Sequence, residues 1–375
     1  MSEYQYYEFV AVDGPISDEG LKYARGCSSR AEVSRFRWQN VYHFGDLHGS
    51  EATLLKYYDA HFYIANWATA RLVLALPEGC LSAETLEPYL RGGEHHEDPV
   101  TTRVVGDRRL VWFETNEEES WWDKAGEGVL DQLLPIREDL IRGDHRSLFL
   151  AWLGSFDPDE WSDPENDGVL LPPIPAGLNH LTPALETFLE HFPVDEDVLT
   201  VAIEVSQAGT PDRVPIARVL EKMPAAGMRS LLERVAGGEG SKVMAELNRL
   251  TFPQSDSTAG PSMSCTEFAA RTLEVRQARL QREAKAAAAE RRRKAEARRQ
   301  HLASIMARAD TIWDKVDESV NRKTSASLNE AAAQLKELRD AYEEAGAGAG
   351  FQEKLAAFRE RYRRRTGMLH RIRDL

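Results

Sequence analysis

The sequence predicts an α+β protein, with a strand-containing N-terminal body followed by helices alone. Three observations predict it. Aromatic and β-branched runs alternate with helix-like stretches up to Phe113, and beyond that hairpin the pattern turns helical and stays so. Ser264 to Arg322 then contains neither Pro nor Gly. Ala, Arg, Glu, Lys, Gln and Leu dominate that stretch, the residues that lose least on entering a helix. As one helix it would span roughly 88 Å, longer than a typical domain is wide.

Tyr4 to Val12 (YQYYEFVAV) reads as a strand, stopped by Asp13-Gly14-Pro15. Ser17 can cap a short helix through Arg25, with Gly26 as its stop. Phe36, Trp38, Asn40 and Tyr42 alternate with polar or smaller residues, which predicts a second strand from about Val33 to His43. Ser50 then caps an expected amphipathic helix carrying Leu54, Leu55, Tyr58, Phe62 and Ala65. Arg71 to Leu76 forms a third, buried strand ended by Pro77. The resulting β-α-β-α-β order points to a ferredoxin-like or related α/β layer. Ser82 to Leu90 is a short helix, and Val100 to Val105 joins Leu110 to Phe113 across Gly106-Asp107 as a hairpin.

These readings divide the chain into an α+β domain (1–156), a Pro- and acid-rich linker or loop (157–177) and a small helical bundle (178–252). A Ser/Thr/Gly-rich flexible linker (253–263) and a long basic helix with a helical hairpin (264–375) follow. The bundle helices are each too short to stand alone, so they must pack together. Within the long helix, Gln281 to His301 has no large apolar side chain, which excludes a sustained coiled coil there. The stripe returns at Leu302, Ile305, Met306, Ile312, Trp313, Val316 and Val320. Ser327 and Glu330 are spaced as a capping box for a helix that Gly346, Gly348 and Gly350 end.

Net charge is -14 over 375 residues, but residues 263–375 hold 25 Lys+Arg against 17 Asp+Glu, and residues 1–262 hold 22 against 44. An acidic body repels nucleic acid; only the arm can bind phosphate. Attraction between body and arm explains the asymmetry equally well. Cys27, Cys80 and Cys265 lie far apart without a CxxC, so neither a disulfide framework nor a zinc ribbon is indicated. With no basic n-region and no long aliphatic run, a cytoplasmic protein off the membrane is expected.

Several patterns have chemical potential. His43, Asp46 and His48 (HFGDLH) carry metal-capable side chains after a strand, with His61 the nearest further ligand for zinc or iron; a locally bonded turn is the simpler reading. Asp163, Glu165, Asp167 and Gly168 open like a calcium loop, but its twelfth position is Ile174, where a bidentate Glu is required. His95-His96-Glu97 reads as a polar loop. GxSxG, GxxxxGK[ST] and HExxH are all missing, so no cofactor or catalytic residue is called for. Arg291, Arg292, Arg293, Lys294, Arg298 and Arg299 make helix 285–299 strongly positive, suited to phosphates or to acids on a protein. Aromatic residues do not interleave there, so base stacking has no support. Trp121-Trp122 sits in an acidic stretch where one ring could anchor a partner protein.

LKELRDAYEEAG followed by FQEKLAAFRERYRRRTGMLHRI resembles the helical tail after the zinc module of bacterial SWIM-type zinc-finger proteins. That family's zinc ligands have no counterpart here, so the resemblance implies helices and no metal site. YQYYEFVAVDGPIS, SSRAEVSRFRWQNVYHFGDLHG and YYDAHFYIANWATARLVLALP are similar to a group of uncharacterised bacterial proteins, which implies a bacterial cytoplasmic origin and no activity. The expectation is therefore a non-catalytic adaptor or scaffold of a bacterial multiprotein assembly. Its alternatives are a protein binding nucleic acid through helix 285–299 and a metal-dependent enzyme using the HFGDLH loop.

Overall fold

Seven strands carry the N-terminal part of the computed structural model: β1 (Gln5–Val10), β2 (Glu32–Val33), β3 (Arg37–Tyr42), β4 (Ala60–Ala65), β5 (Ala70–Pro77), β6 (Val100–Val105) and β7 (Arg108–Thr115). They form one sheet in the order β2-β3-β1-β4-β5-β7-β6, with every neighbouring pair antiparallel. The structure describes residues 3–90, 98–116, 126–207, 209, 215–251 and 263–375. They divide into two compact units, Met1–Gln277 and Ala278–Leu375.

The α+β class holds, but the layer differs from β-α-β-α-β. The expected helix from Ser50 to Ala65 is a single turn, α2 (Glu51–Leu54), and then the strand β4, which lies between β1 and β5. Leu54, Leu55, Tyr58, Phe62 and Ala65 are all buried as expected, yet the last two are buried by strand pairing. Backbone pairing to the distant β1 and, as a hairpin, to the following β5 outweighs a local helical spacing. The expected strand from Val33 to His43 is broken by a turn in which Ser34 Oγ accepts from the Arg37 amide at 2.8 Å, leaving Phe36 exposed. The β6–β7 connection is the expected hairpin, and Gly106 supplies the left-handed φ of 65° that its tight turn needs.

Central strands β1 and β4 are buried along their whole length, because both faces of the sheet are covered. Between β1 and β3 comes α1 (Asp18–Gly26), capped by Ser17 as expected; its Ala24 joins Phe9, Trp38, Tyr58 and Val73 on one face. After β5 comes α3 (Ala83–Leu86), and after β7 come α4 (Val129–Ile141), α5 (Arg146–Gly154) and α6 (Pro158–Trp161). Beyond the 157–177 segment lie α7 (Pro183–His191), α8 (Glu196–Val205), α9 (Ile216–Lys222), α10 (Ala225–Ala236) and α11 (Gly240–Thr251). The opposite face of the sheet packs Tyr6, Phe62, Leu72 and Phe113 against α4, α5, α7 and α8 in one core.

This shared core revises the expected domains. Leu171 and Ile174, from the 157–177 segment, are buried in it, as are Phe188 and Val201 from the expected middle bundle. The segment is an ordered loop, pinned by a bridge between Leu170 and Ser264. Only α9 to α11 keep a separate core, made of Leu231, Val243 and Leu247. The linker 253–263 falls outside the described residues except for Met263, and so do Trp121, Trp122 and His95-His96-Glu97.

The long helix is also shorter than expected. α12 (Cys265–Met306) stops at Ala307-Arg308, and α13 (Ala309–Asn321) follows, although no Pro or Gly intervenes. The break lets Leu302, Ile305, Val316 and Val320 all reach one core with α14 (Ser325–Glu344) and α15 (Gly348–Arg361). A straight helix would carry part of that stripe into solvent. The capping box of α14 is formed by Thr324 and Ser327, not Ser327 and Glu330. Gly346, with φ 69°, ends α14 as expected, whereas Gly348 and Gly350 lie inside α15. Helix α16 (Thr366–Arg371) completes the unit through Met368.

Candidate functional site

All of residues 281–300 in α12 are exposed except half-buried Glu290. Their alanines and long charged side chains suit a helix with no apolar face to bury. Arg293 and Lys294 lean back on Glu290 at 2.8 and 3.5 Å, exposed surface pairs that contribute little. Arg291 and Arg292 have no acid partner among the described residues.

Arg298 and Arg299 are different. Arg298 reaches Asp340 at 2.7 Å and Glu337 at 4.0 Å; Arg299 reaches Glu344 at 3.1 Å. His301 Nε2 lies 3.3 Å from the same Glu337. These acids stand on α14, which runs antiparallel to this part of α12 and ends at Glu344. Seven residues separate Arg291 from Arg298 and Arg292 from Arg299, so all four share one face of α12. The face is thus partnered by acids where α14 reaches it and bare beyond α14's end. Reading the cations alone missed these partners; Glu337, Asp340 and Glu344, at i, i+3 and i+7 in LKELRDAYEEAG, were the available signal.

The HFGDLH loop does not assemble a metal site. Asp46 accepts from the Tyr7 hydroxyl at 2.6 Å and from the Leu47 amide at 2.7 Å. The His43 ring lies 6.2 Å from that of Tyr4, and the His48 amide donates to the Cys27 carbonyl at 3.2 Å. All three side chains are exposed, while His61 is fully buried within the sheet. No group of three or more His, Cys, Asp or Glu able to hold a metal occurs among the described residues. The loop is a turn tied down by Tyr7. Likewise, Asp163 caps a short 3₁₀ turn by accepting from the Glu165 amide.

Strand register instead assembles a polar network that the sequence did not announce. His61 on β4 stacks on Phe9 at 4.0 Å, and its Nδ1 lies 2.9 Å from the Glu8 carbonyl. Its Nε2 is 3.7 Å from Glu51 Oε2, an ion-pair distance too long for a hydrogen bond. Arg71, paired with Tyr63 and Glu114 across the sheet, grips both Glu51 oxygens at 2.9 Å and Glu114 at 2.8 Å. Burial would raise the Glu51 pKa, but His61 and Arg71 outweigh it and pull it down to about 2. Burial and the Asp46 hydrogen bond hold the Tyr7 phenol well above its usual range. With His61 sealed from water and Glu51 clamped, the network ties the 43–58 loop to the sheet.

That clamp has a pH signature. The folded pKa of Glu51 lies below its ordinary 4.5, so its contribution is present above that value and lost as pH falls toward about 2. Glu51→Gln is expected to remove about 1–3 kcal/mol at neutral pH and to flatten the loss of stability over that acid window. Urea melts of both chains at several pH values check it; parallel curves would reject the assignment.

A cleft of about 470 Å³ opens at the other end of the sheet, lined by Asp13, Lys56, Asp59, Arg108, Arg137 and Lys242 among others. Arg137 holds Asp13, Arg108 holds Asp59 and Lys242 holds Asp107, so its charges are largely mutual. No helix among the described residues is long and apolar enough to cross a membrane. Comparison of the chain with protein-family models, with curated proteins and with solved structures finds no match in any of the three.

Proposed function

We propose that the protein is a non-catalytic interaction component of a larger assembly, gripping an acidic protein surface through the bare part of α12. The observation that carries this reading is the pairing of Arg298 and Arg299 with the carboxylates of α14, while Arg291 and Arg292 on the same face have no acid partner among the described residues. The molecule thereby displays, within itself, the partner chemistry this face accepts: carboxylates at i, i+3 and i+7 on an antiparallel helix. A partner helix of that kind would continue the line of α14. Charge-assisted contacts of this sort weaken with salt and steer association.

The test uses a labelled helical peptide with glutamates at i, i+3 and i+7, titrated by fluorescence anisotropy against the full chain at low salt. Arg291→Glu with Arg292→Glu is expected to weaken binding about tenfold, equivalent to about 1.4 kcal/mol, with the thermal melt unchanged. Equal affinity of the doubly reversed chain would defeat the proposal. Tighter binding to a random-sequence DNA duplex than to the peptide would transfer the site to phosphate recognition.

A further inference from the structure

Residues 359–373 hold seven arginines and a single acid, Glu360. They end α15, make the turn after it and form α16. The fold sets them beside a further basic pair, Arg322-Lys323, in the turn between α13 and α14. Arg371 on α16 donates to Ser325 Oγ at 3.0 Å and to Asn329 Oδ1 at 2.6 Å, at the start of α14. Arg359 on α15 donates to the Ile372 carbonyl at 3.1 Å, which holds α16 against α15. The patch therefore lies at the beginning of α14, roughly 25 Å along that helix from the carboxylates that pair with Arg298 and Arg299.

Some of these cations meet acids at the surface: Arg322 with Glu330, Arg361 with Asp317, Arg363 with Glu360 and Arg373 with Asp374. Exposed pairs of this kind are screened and contribute little. Lys323, Arg359, Arg364, Arg365 and Arg371 have no acid partner among the described residues. The groups that hold Arg359 and Arg371 are neutral, so both guanidiniums are fixed in place with their charge uncompensated. The backbone adds a separate observation. Lys323 has a left-handed φ of 61° just past the end of α13, where glycine is the usual occupant. An exposed cation stands there instead.

The chemistry of the patch selects among polyanions. It gathers cations from three elements, unlike the single helical row on α12, so it does not match a row of acids on one helix. Duplex nucleic acid carries one charge per about 1.7 Å of its axis and stays ionised, whereas carboxylates brought to that density repel one another and take up protons. No large apolar side chain of residues 322–375 is exposed among the described residues, so a bilayer finds no wedge or anchor. Tyr362 is half-buried against Phe358, with centroids 4.8 Å apart, so its ring is not free to stack on an unpaired base. What the patch offers is guanidinium, whose planar fork matches phosphate oxygens.

We propose that this end of the C-terminal unit binds the phosphate backbone of a nucleic-acid duplex, without reading its sequence, through Lys323, Arg364, Arg365 and Arg371. The surface is separate from the bare face of α12, so either can fail without the other.

The test is an anisotropy titration of a labelled random-sequence DNA duplex of about 20 base pairs. It uses the full chain carrying Arg291→Glu and Arg292→Glu, so that duplex held here is not held by α12. Binding is expected at about 1–10 µM in about 50 mM salt, with log K falling against log salt at a slope of about -4.5, about -0.9 for each of five cations. Arg364→Ala with Arg365→Ala should weaken it about tenfold and bring the slope to about -2.7. Lys323→Gly should weaken it about threefold with the thermal midpoint no lower, since glycine accepts that φ; a purely structural role would not separate the two readouts. Absence of duplex binding at about 100 µM, or an affinity unchanged by both substitutions, overturns the proposal. So does equal or tighter binding of polyglutamate, or of phosphatidylserine vesicles, under the same salt.

Discussion

Arg137→Ala is expected to lower the unfolding free energy by about 2–4 kcal/mol, a large share of the roughly 5–15 kcal/mol typical of a domain. Arg137 is 2% exposed, yet it is charged, and every part of its guanidinium has a partner. Nε donates to the Ala75 carbonyl at the end of β5 at 2.8 Å; Nη1 and Nη2 hold both Asp13 oxygens at 3.1 and 2.6 Å. Truncation leaves that carbonyl without its partner and Asp13 without its countercharge, and it opens a cavity under α4. Asp13 keeps some solvent contact, which moderates the loss below that of a wholly buried pair. Arg137→Lys keeps the charge but not the fork, so an intermediate loss is expected. Urea midpoints of the three chains decide it: a loss below about 1 kcal/mol for Arg137→Ala would mean that water replaces the fork.

Phe268→Ala is expected to cost about 3–5 kcal/mol. The ring is fully buried and meets Phe156 edge to face with centroids 5.2 Å apart. Around it, Cys265, Ala269 and Thr272 have no exposed surface, so the neighbours have little room to collapse into the space left. The first turns of α12 are in this sense part of the core of the N-terminal unit. Ser264 caps them by accepting from the Glu267 amide at 3.1 Å. Leu280→Ala, just over three turns further along the same helix at a half-exposed position, is the control and should fall within about 0.5 kcal/mol of wild type. Calorimetric melts of both variants measure the contrast; equal shifts would show that Phe268 is not a core anchor.

Much of the secondary structure follows from local residue order. β1, β5 and the β6–β7 hairpin are where aromatic and β-branched runs bounded by turn residues put them. The exposed basic segment of α12 was equally visible, because a helix lacking apolar residues over Gln281 to His301 has nothing to bury. The clearest error, at Ala60–Ala65, has a definite cause. Leu54, Leu55, Tyr58 and Phe62 fit a helical face, but the backbone of AHFYIA finds partners on both sides, at residues 5–10 and 70–74. The first set lies outside any local window; the second is near in sequence but pairs only once the segment is already extended.

By itself the sequence determined the α+β class, the split between acidic and basic parts, and the long charge-rich helix, since propensity, patterning and charge are properties of neighbouring residues. Only the tertiary structure decided that residues 157–202 share the core of the sheet, that the long helix breaks at Ala307-Arg308, and that, among the described residues, Arg298 and Arg299 have acid partners while Arg291 and Arg292 have none. Each of these depends on which distant segments meet, and burial of a common apolar surface fixes those meetings in space rather than along the chain.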